Sequence, residues 1–258
     1  MDITLAEVRR HERVAEHYRL MEFSCPTIAS LAQPGQFIHV RVPHAEIMAL
    51  RRPFSIYRSG GDTLSILYKQ VGRGTAAMSM VPNGEKVSII GPLGRGFPYG
   101  PGDTLPVLVG GGYGVAPLYF LAARMERKGV LFVGGAAAAD ILCTDDFEAL
   151  EWDVRVATED GSMGEKGLVT DVLDKWLEGH DGATPEFHAC GPDGMLKAVG
   201  ERARNGGWTA WLSLDKHMGC GVGACLACVQ RIRDEDGSER WGRVCTDGPV
   251  FESRQIVW

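Results

Sequence analysis

Four cysteines have the residue type and spacing of an iron–sulfur site. Four residues separate Cys220 from Cys225, two separate Cys225 from Cys228, and sixteen separate Cys228 from Cys245. A C-x4-C-x2-C run followed by a distant fourth cysteine is the arrangement of plant-type [2Fe-2S] sites, where thiolates hold the two irons. The spacing therefore predicts a [2Fe-2S] cluster with these four cysteines as its ligands.

The residues between the cysteines indicate how the thiolates converge. Glycines alternate with the first cysteines, and they let the backbone bend tightly without side-chain clashes. Residues 229–233 alternate apolar and polar side chains, Asp236-Gly237 is a hairpin turn signal, and a second short strand leads back to Cys245. The cluster ligands are thus expected to come from one loop and the end of one hairpin.

Zinc and disulfides are the two other uses of these cysteines. Structural zinc also takes four thiolates, but it usually shows two C-x2-C-like knuckles, and Cys245 has no partner at that spacing. The total of seven cysteines is odd, which disfavours a disulfide framework. Cys25 and Cys143 are interpreted as structural. For Cys190 two interpretations stay open: it is either a small core residue or part of a ligand site.

Length and charge limit the function classes. The chain has 258 residues and is long enough for two domains with a small appendage, and 45% of its residues are hydrophobic. A net charge of −6 argues against a nucleic-acid partner, which requires a basic face. The sequence shows neither a signal peptide pattern nor a long uncharged apolar run, so we expect a cytoplasmic protein with no membrane partner. No two histidines have metal-ligand spacing, and His188 and His217 are interpreted as packing or surface residues.

Residues 1–97 predict an antiparallel β-barrel that binds a flavin. Short β-rich segments, such as 18–23, 36–42 and 63–68, recur between turn residues. Arg52 can pair with a phosphate, Phe54 offers a flat ring, and Ser55 offers a hydroxyl. Gly72 and Gly74 would let backbone N–H groups approach a pyrophosphate, at the start of a helix predicted over 75–80. Together these are the groups that a flavin dinucleotide needs.

Residues 103–212 predict a parallel-sheet α/β domain that binds a nucleotide. A strand over 105–109, a glycine loop over 110–114 and a helix over 116–128 precede the next strand at 130–133. The loop is not G-x-G-x-x-G, so it does not predict a standard Rossmann fingerprint. A second strand runs into another glycine turn near residue 190. The candidate nucleotide-binding residues are Gly111, Gly112, Gly114, Cys190, Gly191 and Pro192.

These motifs together resemble the ferredoxin reductase superfamily and, more narrowly, the electron-transfer subunits of NAD-linked bacterial dihydroorotate dehydrogenase. The matching stretches are 52–56, 72–75, 91–94, 110–118, 189–192 and the tail from 220 to 251, so the resemblance extends from one end of the chain to the other. It implies three modules: the barrel, the nucleotide domain and a [2Fe-2S] domain over 213–258. The residues that the resemblance implies for FAD are Arg52, Pro53, Phe54, Ser55, Leu67, Tyr68, Lys69, Gly74 and Thr75.

The resemblance also implies a function. Members of that family assemble with an FMN-containing dihydroorotate dehydrogenase catalytic subunit, as a heterotetramer of two copies of each chain. Dihydroorotate is oxidised to orotate on the partner, in pyrimidine (UMP) biosynthesis. This chain would carry the electrons through the cluster and FAD to NAD. Since the cofactors do the chemistry, no side chain of this oxidoreductase subunit is expected to act as a general acid or base.

Two departures from the family pattern and three alternatives accompany this reading. Phe54 stands where the superfamily often has tyrosine, which removes one hydroxyl. Residues 134–140 hold no arginine or lysine for a 2′-phosphate, which favours NAD over NADP.

The same three modules also serve sulfide- or hydrogenase-linked NAD(P)H reductases and the small subunit of a ferredoxin-linked transhydrogenase. In the transhydrogenase group the resemblance implies an aspartate among the cluster ligands, and Cys220 argues against that group. A flavin and iron–sulfur protein that senses redox state without turnover is the third alternative.

Overall fold

A computed structural model describes residues 1–43, 50–180, 182 and 184–258. Its first part is a closed antiparallel barrel with strand order β1-β2-β5-β4-β3-β6, in which β6 pairs back onto β1. The six strands are β1 (Asp2–Ala15), β2 (Tyr18–Ser24), β3 (Phe37–Val40), β4 (Arg52–Gly60), β5 (Thr63–Lys69) and β6 (Lys86–Leu93). Two short helices, α1 (Pro26–Leu31) and α2 (Arg73–Met78), lie in the connections.

The barrel forms because its strands alternate side chains between interior and solvent. In β6, buried and less buried residues alternate along the whole strand. The interior holds fully buried apolar side chains from every strand, among them Val8, Phe23, Ile38, Ile66 and Ile89. Closure leaves no unpaired edge, and the predicted antiparallel barrel is confirmed.

The second part is a parallel sheet covered by helices. Its strands are β7 (Leu105–Gly111), β8 (Val130–Gly135), β9 (Asp153–Thr158), β10 (Glu165–Lys166), β11 (Pro185–Cys190) and β12 (Thr209–Ser213). Its helices are α3 (Val115–Arg124), α4 (Thr144–Glu148), α5 (Val169–Glu178) and α6 (Asp193–Gly206). The order β10-β9-β8-β7-β11-β12 shows that the chain first winds outward from β7 and then continues on its other side with β11. The predicted parallel α/β region is confirmed.

The cysteine-rich part is a loop, a hairpin and a return to the sheet. β13 (Val229–Arg233) and β14 (Glu239–Arg243) form the predicted hairpin, and α7 (Val244–Asp247) follows it. β15 (Val250–Glu252) then pairs antiparallel with β12, with Leu212 opposite Phe251. The segment therefore leaves the seven-stranded sheet at one strand and rejoins it at the neighbouring one.

Two helix boundaries differ from the sequence-based prediction. The helix predicted over 116–128 is α3, which ends at Arg124 because Met125 is extended and buried, and Arg127 then bonds the carbonyls of Thr104 and Gly100. The helix predicted over 75–80 begins earlier, at Arg73, because the Thr75 hydroxyl accepts the N–H groups just before it. In neither case does local propensity alone reveal the stop or start.

The barrel and the sheet pack directly on each other. Tyr18, Tyr57 and Leu67 of the barrel share one buried apolar cluster with Leu108 and Val115 of the sheet side. This packing fixes the two walls of the cavity between them. Over the described stretches of the chain, no helix combines the length and the apolar character needed to cross a bilayer.

Candidate cofactor and electron-transfer site

A cavity of about 1140 Å³ lies between the barrel and the α/β sheet. Of the fifteen residues proposed from the sequence for FAD and NAD, all except Gly74 line it. The lining members are Arg52, Pro53, Phe54, Ser55, Leu67, Tyr68, Lys69, Thr75, Gly111, Gly112, Gly114, Cys190, Gly191 and Pro192. The fold thus brings two motif groups that are far apart in sequence to opposite walls of one cavity.

The barrel wall is built by β4 and β5. Arg52, Phe54 and Ser55 of β4 are half-buried, so each presents a side chain to the cavity while its backbone stays in the sheet. The Phe54 ring lies 5.5 Å from the ring of Tyr68, and the Tyr68 hydroxyl donates to His11 Nε2 at 3.0 Å, since His11 Nδ1 donates to a backbone carbonyl. An arginine, an aromatic face and a hydroxyl on one wall fit a flavin dinucleotide.

Gly74 contributes by making room for Arg52. A Cβ built on Gly74 would lie 2.6 Å from Arg52 Nε, so only glycine lets the guanidinium cross over the start of α2. The neighbouring Gly72 has a different role from the predicted one. Its N–H and that of Val71 donate to Thr75 Oγ1 at 3.1 and 2.9 Å, so both donors are already used within the chain. The Thr75 hydroxyl in turn donates to the Gly72 carbonyl at 3.0 Å, so the phosphate contact expected on this side is left to Arg52.

The nucleotide wall lies at the carboxyl ends of β7 and β11, where the winding of the sheet changes direction. A Cβ on Gly114 would lie 2.2 Å from the carbonyl oxygen of Cys190, and a Cβ on Gly111 would lie 2.7 Å from Pro192. The two turns touch through glycine backbone, which leaves an open crevice above them. Ligands of open α/β sheets bind at such a switch point.

Cys190 is a neutral thiol at the bottom of this crevice. Burial raises its pKa to about 12, with Asp215 adding to the effect, so at neutral pH it is no thiolate nucleophile. Tyr113 donates to the carboxylate of Asp215 at 3.2 Å beside it. The geometry gives Cys190 a packing or contact role and no nucleophilic one.

Asp140 is a cavity residue that sequence reasoning missed. Its Oδ1 accepts from Tyr18 at 2.5 Å and from Lys69 Nζ at 2.8 Å, so it ties the loop after β8 to two barrel strands. The hydrogen bonds from Lys69 and Tyr18 lower the pKa of Asp140 below the usual aspartate value. Lys69, proposed as an FAD residue, is therefore already charge-paired. No local signal identified Asp140, because its partners are more than 70 residues away in sequence.

Glu159 is a second missed residue. It follows β9, lines the cavity, and its N–H donates to the carbonyl of Gly135 at 3.1 Å, beside the loop that lacks a basic residue. An acidic side chain just after the end of a strand can accept hydrogen bonds from the hydroxyl groups of a nucleotide ribose, and its charge repels a 2′-phosphate. No motif in the sequence marks Glu159, because the strand before it is known only from the structure.

The four cysteines form two pairs. The Cys225 N–H donates to Cys220 Sγ at 3.4 Å, and the Cys245 N–H donates to Cys228 Sγ at 3.4 Å. Across the described residues, no group of three or more histidine, cysteine or acidic side chains is placed to hold one metal ion. Two pairs match a two-iron cluster, with two thiolates on each iron, better than one tetrahedral zinc.

The backbone around Cys220 favours its thiolate. The N–H groups of Val222, Ala224 and Cys225 point at Cys220 Sγ at 3.4, 3.2 and 3.4 Å. Partial burial opposes ionisation, but these donors prevail and lower the pKa of Cys220 to about 6. Gly221 and Gly223 have φ of +72° and +81°, which allows this wrap. The residues present therefore fit a cluster held by thiolates.

The two cysteine pairs differ in exposure. Cys228 and Cys245 are 2% and 1% exposed and belong to the apolar core under the sheet, whereas Cys225 is exposed. Apolar side chains flank the more exposed pair: Val222 and Leu226 adjoin it in sequence and are 41% and 60% exposed, and Trp241, which is 66% exposed, lines a depression together with Leu226. We call Val222, Cys225, Leu226 and Trp241 the cluster face.

The cavity reaches the cluster loop. Met218, two residues before Cys220, lines the cavity together with Phe37 of the barrel and Pro249. Pro249 packs on the barrel as well, since a Cβ on Gly94 would lie 2.6 Å from its Cδ. Flavin motif, nucleotide crevice and cysteine loop thus border one continuous space.

Comparison with known families and curated proteins agrees with this arrangement. Residues 215–257 match the iron–sulfur cluster binding domain of dihydroorotate dehydrogenase B, and residues 108–201 match the oxidoreductase NAD-binding domain. The chain is 41% identical to the dihydroorotate dehydrogenase B (NAD(+)) electron transfer subunit of Geobacillus thermodenitrificans, over 95% of this chain and 94% of that protein. It is 39% identical to the protein of the same name from Desulforamulus reducens, over 95% and 94%.

Solved structures show the same architecture. The structure of an NADH-dependent reduced ferredoxin-NADP oxidoreductase, described in work on flavin-based electron bifurcation, superposes with a TM-score of 0.85 at 27% identity, over 99% of this chain and 90% of that one. The ferredoxin reductase of carbazole 1,9a-dioxygenase superposes with a TM-score of 0.66 at 20% identity, over 80% and 66%, which shows a shared fold alone.

Proposed function

Because the chain belongs to the family of dihydroorotate dehydrogenase B electron transfer subunits, we propose that it couples dihydroorotate oxidation on an FMN-containing catalytic partner to reduction of NAD. The reaction would deliver orotate to pyrimidine biosynthesis. The observation that carries the proposal is the single space bordered by the flavin motif, the crevice between β7 and β11, and the loop of Cys220. Two-electron and one-electron carriers placed around one such space are within reach of each other.

The side chains of this chain hold and orient the cofactors. Bound FAD supplies two-electron chemistry toward NAD and one-electron chemistry toward the [2Fe-2S] cluster, which carries single electrons. Arg52 would hold phosphate beside Thr75, and the Phe54 and Tyr68 rings would border the flavin. The turn that contains Gly111, Gly112 and Gly114 would admit the nicotinamide nucleotide beside Cys190, Gly191 and Pro192. Cys220, Cys225, Cys228 and Cys245 would ligate the cluster.

The cluster face is the proposed docking surface for the catalytic partner. Its apolar residues flank the exposed Cys225, and arginines 240 and 243 line the same depression as Leu226 and Trp241. Exposed apolar patches rimmed by charge are typical of protein interfaces. Docking there would place the partner next to the exposed cysteine pair, and two copies of each chain would form the complex. All seven cysteines are free thiols, which fits a cytoplasmic location.

The test is co-expression with a catalytic subunit of the dihydroorotate dehydrogenase B type. We expect a stable complex that contains FMN, FAD, iron and sulfide and that reduces NAD with dihydroorotate. Trp241→Ala should weaken assembly by roughly tenfold, as expected for a central aromatic contact, while NADH oxidation with an artificial acceptor stays unchanged. Met80→Ala, at a residue 80% exposed on the barrel, is the control. A complex that forms with a different enzyme instead would overturn the pathway assignment.

The superposition on the ferredoxin-NADP oxidoreductase favours a second candidate, an NAD(P)H reductase of the same architecture with another electron partner. Replacing dihydroorotate and the catalytic subunit with reduced ferredoxin in the same assay separates the two. A sensor without turnover would show no steady NADH oxidation with any acceptor.

A further inference from the structure

His39 is a fully buried polar side chain that the proposed function does not use. It lies on β3, where its backbone is opposite Pro53 of β4 and Ile90 of β6. Its exposure is 0%, and neither ring nitrogen has a hydrogen-bond partner among the residues that the structure describes. The nearest aromatic neighbour is Phe37, whose ring lies 5.7 Å away.

The imidazole of His39 is directed at the cysteine loop. A Cβ built on Gly221 would lie 2.8 Å from His39 Nε2 and 2.9 Å from the two carbons beside it. The nitrogen edge of the ring therefore rests on the backbone of the residue that follows Cys220. Through its backbone, β3 pairs with β4, the strand that carries the flavin motif. His39 thus fills the contact between the barrel and the cluster loop.

Packing does not account for a histidine at this position. Leaving a buried polar group without a partner costs about 1–3 kcal/mol, which a phenylalanine ring of similar shape avoids. Burial, with Arg51 nearby, lowers the pKa of His39 to about 4, so the ring is neutral and carries one N–H donor. The residues that the structure describes offer this donor no acceptor, whereas the sulfur atoms of a cluster held by the adjacent loop are acceptors.

We propose that His39 donates a hydrogen bond from Nε2 to a sulfur atom of the iron–sulfur cluster and thereby raises its reduction potential. This inference rests on the proposed cluster ligands. A donor to sulfur stabilises the additional negative charge of the reduced cluster, and hydrogen bonds to sulfur are among the factors that set cluster potentials. His39 is then the barrel residue that adjusts the cluster for electron exchange with the adjacent flavin site.

The first test is a redox titration of the full chain with its cofactors, followed by the EPR signal of the reduced cluster. In His39→Phe, which keeps a ring but loses the donor, we expect the ratio of reduced to oxidised cluster at a fixed applied potential to fall about tenfold, a shift of about 59 mV for one electron. His39→Gln, which restores an N–H, should recover part of the shift. Trp152→Phe removes another buried, unpartnered N–H and should leave the cluster potential unchanged.

The second test does not depend on a His39 variant that folds. With 15N-histidine incorporated into the otherwise unchanged protein, pulsed EPR of the reduced cluster should show a 15N coupling. That coupling should persist in His217→Asn, which removes the exposed histidine nearest the cysteines in sequence. A normal cluster signal without any 15N coupling overturns the assignment of His39 and leaves the proposed function intact. The absence of any cluster overturns both.

Discussion

The cavity and the cysteine loop differ in how their structure is maintained. The cavity walls are strands of a closed barrel and a parallel sheet, and their shape is maintained by buried side chains and pairings such as Asp140 with Tyr18 and Lys69. The cysteine loop lies between β12 and β13 without regular strand or helix, and its Leu226 adopts φ +58°. The cavity is therefore largely formed by the polypeptide, whereas the loop depends on the group that its thiolates bind.

This contrast indicates where cofactor binding and folding are coupled. Ligation free energy becomes folding free energy where the site is poorly formed without its metal. We expect that coupling at the loop of Cys220 and Cys225, and little of it in the barrel. A substitution in the cavity or in the cysteine loop, followed by measurement of cofactor binding in both regions, shows whether the two sites depend on each other.

The largest effect is expected from removing a buried cluster ligand. Cys245→Ser should abolish iron and sulfide binding and lower dihydroorotate-driven NAD reduction by more than about 100-fold, because even partners outside the ligand shell contribute about 10–100-fold. FAD content and NADH oxidation with an artificial acceptor should remain near those of the unchanged protein. Iron, sulfide and flavin assays measure both regions together. Cys25→Ser, at a buried cysteine outside the quartet, is the control, and equal cluster loss there would contradict the ligand assignment.

The converse change affects the cavity and spares the cluster. Gly74→Ala places a methyl group on Arg52, and displacing the guanidinium should raise the FAD dissociation constant about tenfold, the cost of roughly one charged hydrogen bond. Gly72→Ala is a matched control, because a Cβ there meets no atom within 4 Å. Fluorescence titration of the flavin-depleted protein measures both. Similar FAD affinities in the two variants would exclude Arg52 as the phosphate contact.

A smaller effect is expected at the nucleotide end of the cavity. Glu159→Gln removes the charge that would repel a 2′-phosphate, so we expect the preference for NADH over NADPH, measured as the ratio of kcat/KM values, to fall about fivefold, or roughly 1 kcal/mol. Glu165→Gln, at a carboxylate that is paired with Lys175 outside the cavity, should not change the ratio. An unchanged ratio in Glu159→Gln would place ribose recognition elsewhere.

The smallest effect is expected at the contact between the barrel and the sheet. Asp140→Asn should cost about 1 kcal/mol at neutral pH, a fall in Tm of roughly 2–4 °C. Since Lys69 and Tyr18 lower the pKa of Asp140 in the folded protein, its charge stabilises the fold above the ordinary aspartate pKa of about 3.9. That stabilisation is lost as the pH falls through the lowered value, so the Tm difference from the unchanged protein should shrink below about pH 4.

Scanning calorimetry across this pH range measures the effect of Asp140→Asn. Asp153→Asn is the control, because Asp153 pairs with Arg155 at the surface, where ion pairs contribute little. A Tm difference that does not change with pH would show that the Asp140 carboxylate contributes through hydrogen-bond geometry alone.

Sequence reasoning succeeded where chemistry and spacing are local. Short stretches of sequence contain the cysteine spacing, the hairpin before Cys245 and the glycine turns after β7 and β11. In the structure, each of these features lies at the cavity or in the loop beside it. The barrel followed from turn residues between short alternating strands. These are features in which the residue type itself carries the constraint.

Two of the missed features depend on pairs distant in sequence. Asp140 meets Tyr18 across 122 residues, and His39 meets Gly221 from another part of the fold. Neither residue stands in a recognisable motif, so burial and partners had to be seen in three dimensions. At Gly72 the motif was recognised but its role was not: the Gly72 N–H that was expected to contact a phosphate donates to the Thr75 hydroxyl instead.

The pairing of β15 with β12 has a consequence for how the module can be moved or exchanged. Because the cysteine segment departs from β12 and ends in the strand beside it, it is spliced into the sheet at both ends. If the whole segment were removed, or replaced by its counterpart from another reductase, the nucleotide domain would lose β15, an edge strand of its sheet. Engineered chimaeras should therefore exchange the insert between residues 214 and 249 and retain Val250–Glu252 with the host.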